Sequence, residues 1–109
     1  MIESFLINYL KSQGFDAALE RQKGIDIILD KTGGQLNDHQ FLHTFAIQTY
    51  GSSKAKAADL SYKVMQAMLD MPDKTTRVVD VLLNAGPYDF TDTSTKEYRY
   101  QAVYEIYEY

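Results

Sequence analysis

The sequence predicts an α+β domain, a mostly antiparallel sheet of four to five strands with one long helix packed on it and a short helix at the N-terminus. Three observations predict this class. Residues 53–71 keep a helical period without a breaker, and residues 97–107 alternate with a period of two. Alternating stretches also come in a run before the long helix and as a pair after it, which gives the order α-β-β-β-α-β-β. At 109 residues there is room for one domain, spanning 1–109, and one core.

In the long helix, Lys56, Asp59, Lys63, Gln66 and Asp70 recur at steps of three and four and stack into one narrow polar stripe. Asp59 precedes Lys63 by four residues, the favourable order for an ion pair on an exposed face. Nearly every other position is apolar or small, including Leu60, Tyr62, Val64, Met65, Met68 and Leu69. That arc is wider than the roughly 100° stripe of an ordinary surface helix. A sheet of the same chain covers one side of it, and the remaining flank is a candidate contact for a neighbouring subunit. Ser53 supplies an N-cap hydroxyl after Gly51 and Ser52, and Pro72 is expected to end the helix.

The short N-terminal helix follows from Ile2, Phe5, Leu6, Tyr9 and Leu10, one face of a helical period, with Gly14 closing it. Residues 15–21 read as a short strand before the Lys23-Gly24 turn, and residues 25–30 as a strand with one buried face. Gly33-Gly34 is expected to turn the chain into a polar loop over 31–40. Residues 40–50 then form a long strand, with Phe41, Phe45 and Ile47 on one parity and Thr44, Gln48 and Tyr50 on the other. Residues 77–83 are apolar on both faces, the pattern of a central or sandwiched strand, and Gly86-Pro87 is expected to break it. Residues 86–96 read as an irregular loop bearing Tyr88 and Phe90. In the last strand Tyr98, Tyr100, Ala102, Tyr104 and Ile106 point one way, and Arg99, Gln101, Val103, Glu105 and Tyr107 the other.

Composition and motifs narrow the chemistry. There is no Cys, so neither a disulfide nor a thiolate metal site can form. A formal charge of −4 with eleven scattered basic residues argues against a sequence-independent grip on nucleic acid. No apolar run approaches the roughly twenty residues of a membrane span, and the N-terminus carries an acid where a signal peptide has basic residues, so a soluble, unprocessed chain is expected. His39 and His43 have the spacing of a zinc-protease helix, but Gln40 stands where the general base is needed. On a strand, residues four apart are separated by about 13 Å, too far to share a metal. Asp89 and Asp92 sit among Thr hydroxyls, a setting in which Asp bonds its own backbone. No phosphate cradle or nucleophile motif is present, so neither a catalytic residue, a metal ligand nor a cofactor is assigned.

The strand ending Gln48-Thr49-Tyr50-Gly51, the helix opening SSKAKAADLSYKVMQAML, the loop Gly86-Pro87-Tyr88-Asp89 and the final strand YRYQAVYEIY together resemble the tail terminator family of long-tailed bacteriophages. These are also called tail-to-head joining or minor capsid proteins. The resemblance covers nearly the whole chain. It implies a subunit of helix, three strands, helix and two strands, and a homohexameric ring without catalysis. Such a ring sits in the virion at the head-proximal end of the tail, after assembly in the host cytoplasm. It would cap the tail tube and end its polymerisation, with the tube protein on one face and a head completion or neck protein on the other, while DNA only passes through the lumen. A head completion or neck protein, and a small non-viral ligand-binding module, are the alternative readings. Aromatic side chains in polar segments are frequent interface anchors. The candidate contact residues are Tyr88, Asp89 and Phe90 in the loop, with Arg99, Tyr107 and Tyr109 on the last strand.

Overall fold

The computed structural model describes residues 1–37, 40–95 and 97–108; His39 and Tyr109 lie outside the described residues. The elements are α1 (Ile2–Ser12), β1 (Ala17–Ala18), β2 (Ile27–Asn37), β3 (Gln40–Gly51), α2 (Lys54–Lys74), β4 (Val78–Asp89) and β5 (Tyr98–Glu108). This is the α+β order expected from the sequence, α-β-β-β-α-β-β. The strands form one sheet in the order β1-β2-β3-β5-β4, antiparallel throughout except for the two-residue β1, which pairs parallel to β2.

Both helices pack on one face of the sheet. Phe45 and Ile47 of β3, Tyr104 and Ile106 of β5 and Ile27 and Leu29 of β2 meet Leu6 and Leu10 of α1 and Val64, Met68 and Met71 of α2. Each fully buried aliphatic or aromatic side chain contributes roughly 1.5–3 kcal/mol relative to exposure. The Tyr9 hydroxyl donates to the Ala67 carbonyl at 2.6 Å and ties the two helices together. The parity expected for β3 and β5 is the one observed, with Ala102, Tyr104 and Ile106 inward and Gln101, Val103 and Glu105 on the face no helix covers.

α2 begins where the sequence places it. Ser53 caps it by accepting from the Lys56 N–H at 3.2 Å, and Asp59 pairs with Lys63 at 3.0 Å. Gly51 makes the corner from β3 into the helix, since a Cβ there would stand 2.5 Å from the Ala57 nitrogen. The expected stop at Pro72 is not observed: the helix continues to Lys74, with the proline inside its last turn. There the missing N–H removes one terminal bond, and the Thr75 N–H still reaches the Met71 carbonyl.

Three further expectations are corrected. Gly33-Gly34 does not turn the chain; β2 runs on to Asn37, and the register shifts between Lys31 and Gly33. The glycines thus accompany a bulge in a long hairpin, and the polar loop expected over 31–40 is mostly strand. Gly86-Pro87 does not break β4, which continues to Asp89 through a cis Gly86–Pro87 peptide and register shifts on either side of Ala85. Gly86 takes φ +87°, a conformation glycine tolerates, and Pro87 is admitted because β4 has a side with no neighbouring strand to lose a bond to. Finally, β4 is an edge strand and not a central one: β5 lies between it and β3. Its second apolar parity is consequently exposed, as Leu82 shows.

Candidate functional site

The face of the sheet that no helix covers carries a connected set of aromatic, guanidinium and amide groups. Tyr50 closes β3, Arg99 opens β5, and Tyr88 and Phe90 come from the end of β4, so three strands deliver aromatic and guanidinium groups to one end of this face. The Arg99 guanidinium lies 4.7 Å from the Phe90 ring centroid, and its Nε donates to the Phe90 carbonyl at 2.7 Å. The Phe90 N–H donates back to the Arg99 carbonyl at 2.9 Å. Tyr88 meets Phe90 edge to face, with centroids 6.1 Å apart. From the β1–β2 connection, Arg21 stacks over Tyr50 at 4.0 Å and is held by Glu97 at 3.3 Å and Asp26 at 3.9 Å.

A ladder of polar side chains fixes these groups. Arg99 donates to the Tyr50 hydroxyl at 3.4 Å, Tyr50 to the Gln48 side-chain oxygen at 3.4 Å, Gln48 to Gln101 at 3.1 Å, and Gln101 to the Tyr88 hydroxyl at 2.6 Å. Cross-strand registers Tyr50↔Arg99, Gln48↔Gln101 and Tyr88↔Gln101 set the rungs. The rings remain available: Tyr88 is 37% and Phe90 39% exposed. Planar side chains held in one conformation lose little entropy on contact, which is why Tyr and Arg anchor protein interfaces.

Of the candidate contact residues, the structure brings Tyr88, Phe90 and Arg99 together and sets Asp89 and Tyr107 apart from them, while Tyr109 lies outside the described residues. Asp89 points to the helix side, where Lys54 of α2 pairs with it at 3.1 Å and Thr91 donates to it through both hydroxyl and N–H. The Thr91 hydrogen bonds, then Lys54, hold the Asp89 carboxyl below its ordinary range. Asp92 repeats the arrangement with Ser94, so both acids cap their own turns as the sequence suggested. Tyr107 lies on the same face as Arg99 but eight residues along β5, roughly 27 Å away. Its hydroxyl donates to Glu105 at 3.2 Å, and desolvation followed by that contact raises its pKa.

Sequence reasoning missed one polar centre. Glu108, not singled out in the sequence, is buried and accepts from Arg77 Nε at 2.7 Å while pairing with His43 Nε2 at 2.7 Å. Arg77 in turn lies 4.8 Å over the Phe5 ring of α1. The signal was present in the alternation: Glu108 shares parity with Tyr104 and Ile106, and His43 with Phe45. His43 Nδ1 is buried without a hydrogen-bond partner among the described residues. The arrangement joins β3, β5 and the α2–β4 connection.

Among the described residues no group of three or more His, Asp or Glu side chains is placed to hold a metal ion. Among these residues, too, no helix is long and apolar enough to cross a membrane. A cavity of about 580 Å³ opens between Arg21, Tyr50, Lys56, Glu97 and Tyr98, beside the aromatic cluster, and its arginine is already paired with acids. No protein-family model matches the chain, and no curated protein matches it.

Proposed function

We propose that this chain is a structural virion protein that assembles into a homohexameric ring, caps the tail tube of a long-tailed bacteriophage, and joins tail to head. The observation that carries the reading is the rigid Tyr88, Phe90 and Arg99 cluster, braced by Tyr50, Gln48 and Gln101 on a sheet face without a covering layer. It is built like a protein-contact site, with aromatic and guanidinium groups preorganised at the surface. The order of elements supports the same reading, because it is the order implied by the tail terminator resemblance. The ring presents this cluster to the tube protein or to the head completion or neck protein, and its acidic balance suits a lumen through which DNA slides.

The double variant Tyr88→Ala with Phe90→Ala tests the site. Both rings are partly exposed, so the variant should fold and assemble as the parent does yet fail to stop elongation when added to polymerising tube subunits. Normal capping by the double variant would show that the contact lies elsewhere. If the parent chain itself leaves tube length unchanged but binds the head-side connector, the head completion reading takes its place.

A further inference from the structure

The arginines of this chain are Arg21, Arg77 and Arg99, and the fold treats them differently. Arg21 is paired with Asp26 and Glu97, and Arg77 with Glu108. Arg99, in the aromatic cluster, has no carboxylate within ion-pair distance among the described residues, although acids stand close to it along the chain. Each of those acids is already engaged: Asp89 with Thr91 and Lys54, Asp92 with the Ser94 N–H and hydroxyl, and Glu97 with Arg21.

Neutral acceptors hold the Arg99 guanidinium instead. Nε donates to the Phe90 carbonyl at 2.7 Å and Nη1 to the Tyr50 hydroxyl at 3.4 Å, while the group lies 4.7 Å from the Phe90 ring centroid. The Nη2 hydrogens have no acceptor among the described residues. The side chain is half-buried, so its position is fixed while its charge is left uncompensated. A carboxylate brought to such a group gains a charge-assisted hydrogen bond at little cost in side-chain entropy.

The surroundings select what accompanies that carboxylate. The Phe90 ring against the guanidinium and the Tyr88 ring edge to face with it are each more than a third exposed, a surface for an apolar side chain beside the acid. Phosphate is the other anion that a guanidinium takes. Asp92 and Glu97 bracket the neighbouring turn, and with a formal charge of −4 they oppose a polyanion such as DNA, whereas a single carboxylate next to an apolar residue meets less repulsion.

We propose that Arg99 is the specificity-determining residue of this contact, and that it takes an Asp or Glu carboxylate of the docking protein while an apolar neighbour of that acid lies on Tyr88 and Phe90. This deepens the reading of the cluster as the docking site, on which it rests, by stating the chemistry of the partner.

Nuclear magnetic resonance of the full chain tests the pairing without any phage component. The Arg99 Nε–H signal and the Tyr88 and Phe90 ring signals are followed while a blocked Gly-Glu-Phe-Gly peptide, the same peptide with Gln for Glu, or a short oligothymidylate is added at millimolar concentration. The Glu peptide should shift these signals, the Gln peptide and the oligothymidylate should leave them in place, and Arg99→Gln should abolish the ring shifts. Equal shifts from the two peptides, no shift from either, ring shifts that survive in Arg99→Gln, or a response to the oligothymidylate as large as that to the Glu peptide would each overturn the proposal. In tube elongation, Arg99→Gln should need a roughly 10- to 100-fold higher concentration than the parent to stop growth. A parent that stops growth and an Arg99→Gln variant that does so equally well would remove the carboxylate contact and leave the capping function. A parent that binds the Glu peptide through Arg99 and leaves tubes unchanged would remove the capping function and leave the contact.

Discussion

Tyr104 and Glu108 sit four residues apart on the inner parity of β5, and they make opposite predictions. The Tyr104 hydroxyl is buried without a hydrogen-bond partner among the described residues, and desolvation pushes its pKa up. Removing an unpaired buried hydroxyl while keeping the ring is neutral or favourable, so Tyr104→Phe should leave stability unchanged or raise it by up to about 1 kcal/mol in urea denaturation. A loss larger than that would mean the hydroxyl is satisfied in solution. Glu108 is hydrogen-bonded to both Arg77 and His43, and Glu108→Ala should cost about 3 kcal/mol by removing the partner of each. Burial raises the Glu108 pKa, but the Arg77 and His43 hydrogen bonds outweigh it, and the carboxyl is held below its ordinary range. A carboxyl depressed in the folded state contributes stability above its unfolded pKa, about 4.3 for Glu, and loses it as pH falls through the folded value. Stability measured from neutral to acid pH should therefore fall below about pH 4.5, and Glu108→Gln should flatten that fall. An unchanged acid limb would place the acid sensitivity elsewhere, for instance in Asp89 and Asp92, whose carboxyls are also held low.

At the scale of elements, what could be read from sequence depended on what each residue pattern commits to. The α2 stripe and the β5 alternation were legible because a period of 3.6 or 2 repeated over many residues admits one geometry. Ser53 was legible for the same reason: Ser53→Ala should remove its bond to Lys56 and cost about 1 kcal/mol by thermal unfolding. Glycine and proline were misread at Gly33-Gly34 and at Gly86-Pro87. Both residues permit a turn, and both also permit a bulge in a strand; the choice is made by the partner strand, which local sequence does not contain. The apolar residues on both parities of β4 likewise suggested a central strand, whereas the order of the sheet leaves one parity open at an edge. Gly86→Ala addresses the bulge directly. At φ +87° its Cβ would lie 2.5 Å from the Gln101 carbonyl oxygen, so a loss of about 1–3 kcal/mol is expected in urea denaturation. A neutral substitution would mean that β4 does not follow this path along β5.

Across the whole molecule, the loop and last-strand residues singled out in sequence were partly assembled by the fold. Tyr88, Phe90 and Arg99 converge because β4 extends past Pro87 beside β5, while Asp89 faces α2 and Tyr107 stands at the far end of the sheet. Tyr50, Gln48 and Gln101 were not singled out, because their role exists only across strands: Gln48 and Gln101 are fifty-three residues apart and share a rung. The wide apolar arc of α2, by contrast, was visible in the sequence, and the fold leaves Tyr62 and Leu69 exposed on it. Uncovered apolar surface of this kind marks a contact site, and the proposed ring would use it between copies. Native mass spectrometry of the full chain, from dilute to concentrated solution, tests that claim most directly. A closed species of six chains is the predicted result, and a chain that remains a monomer, or stops at a dimer, across the whole range would contradict it.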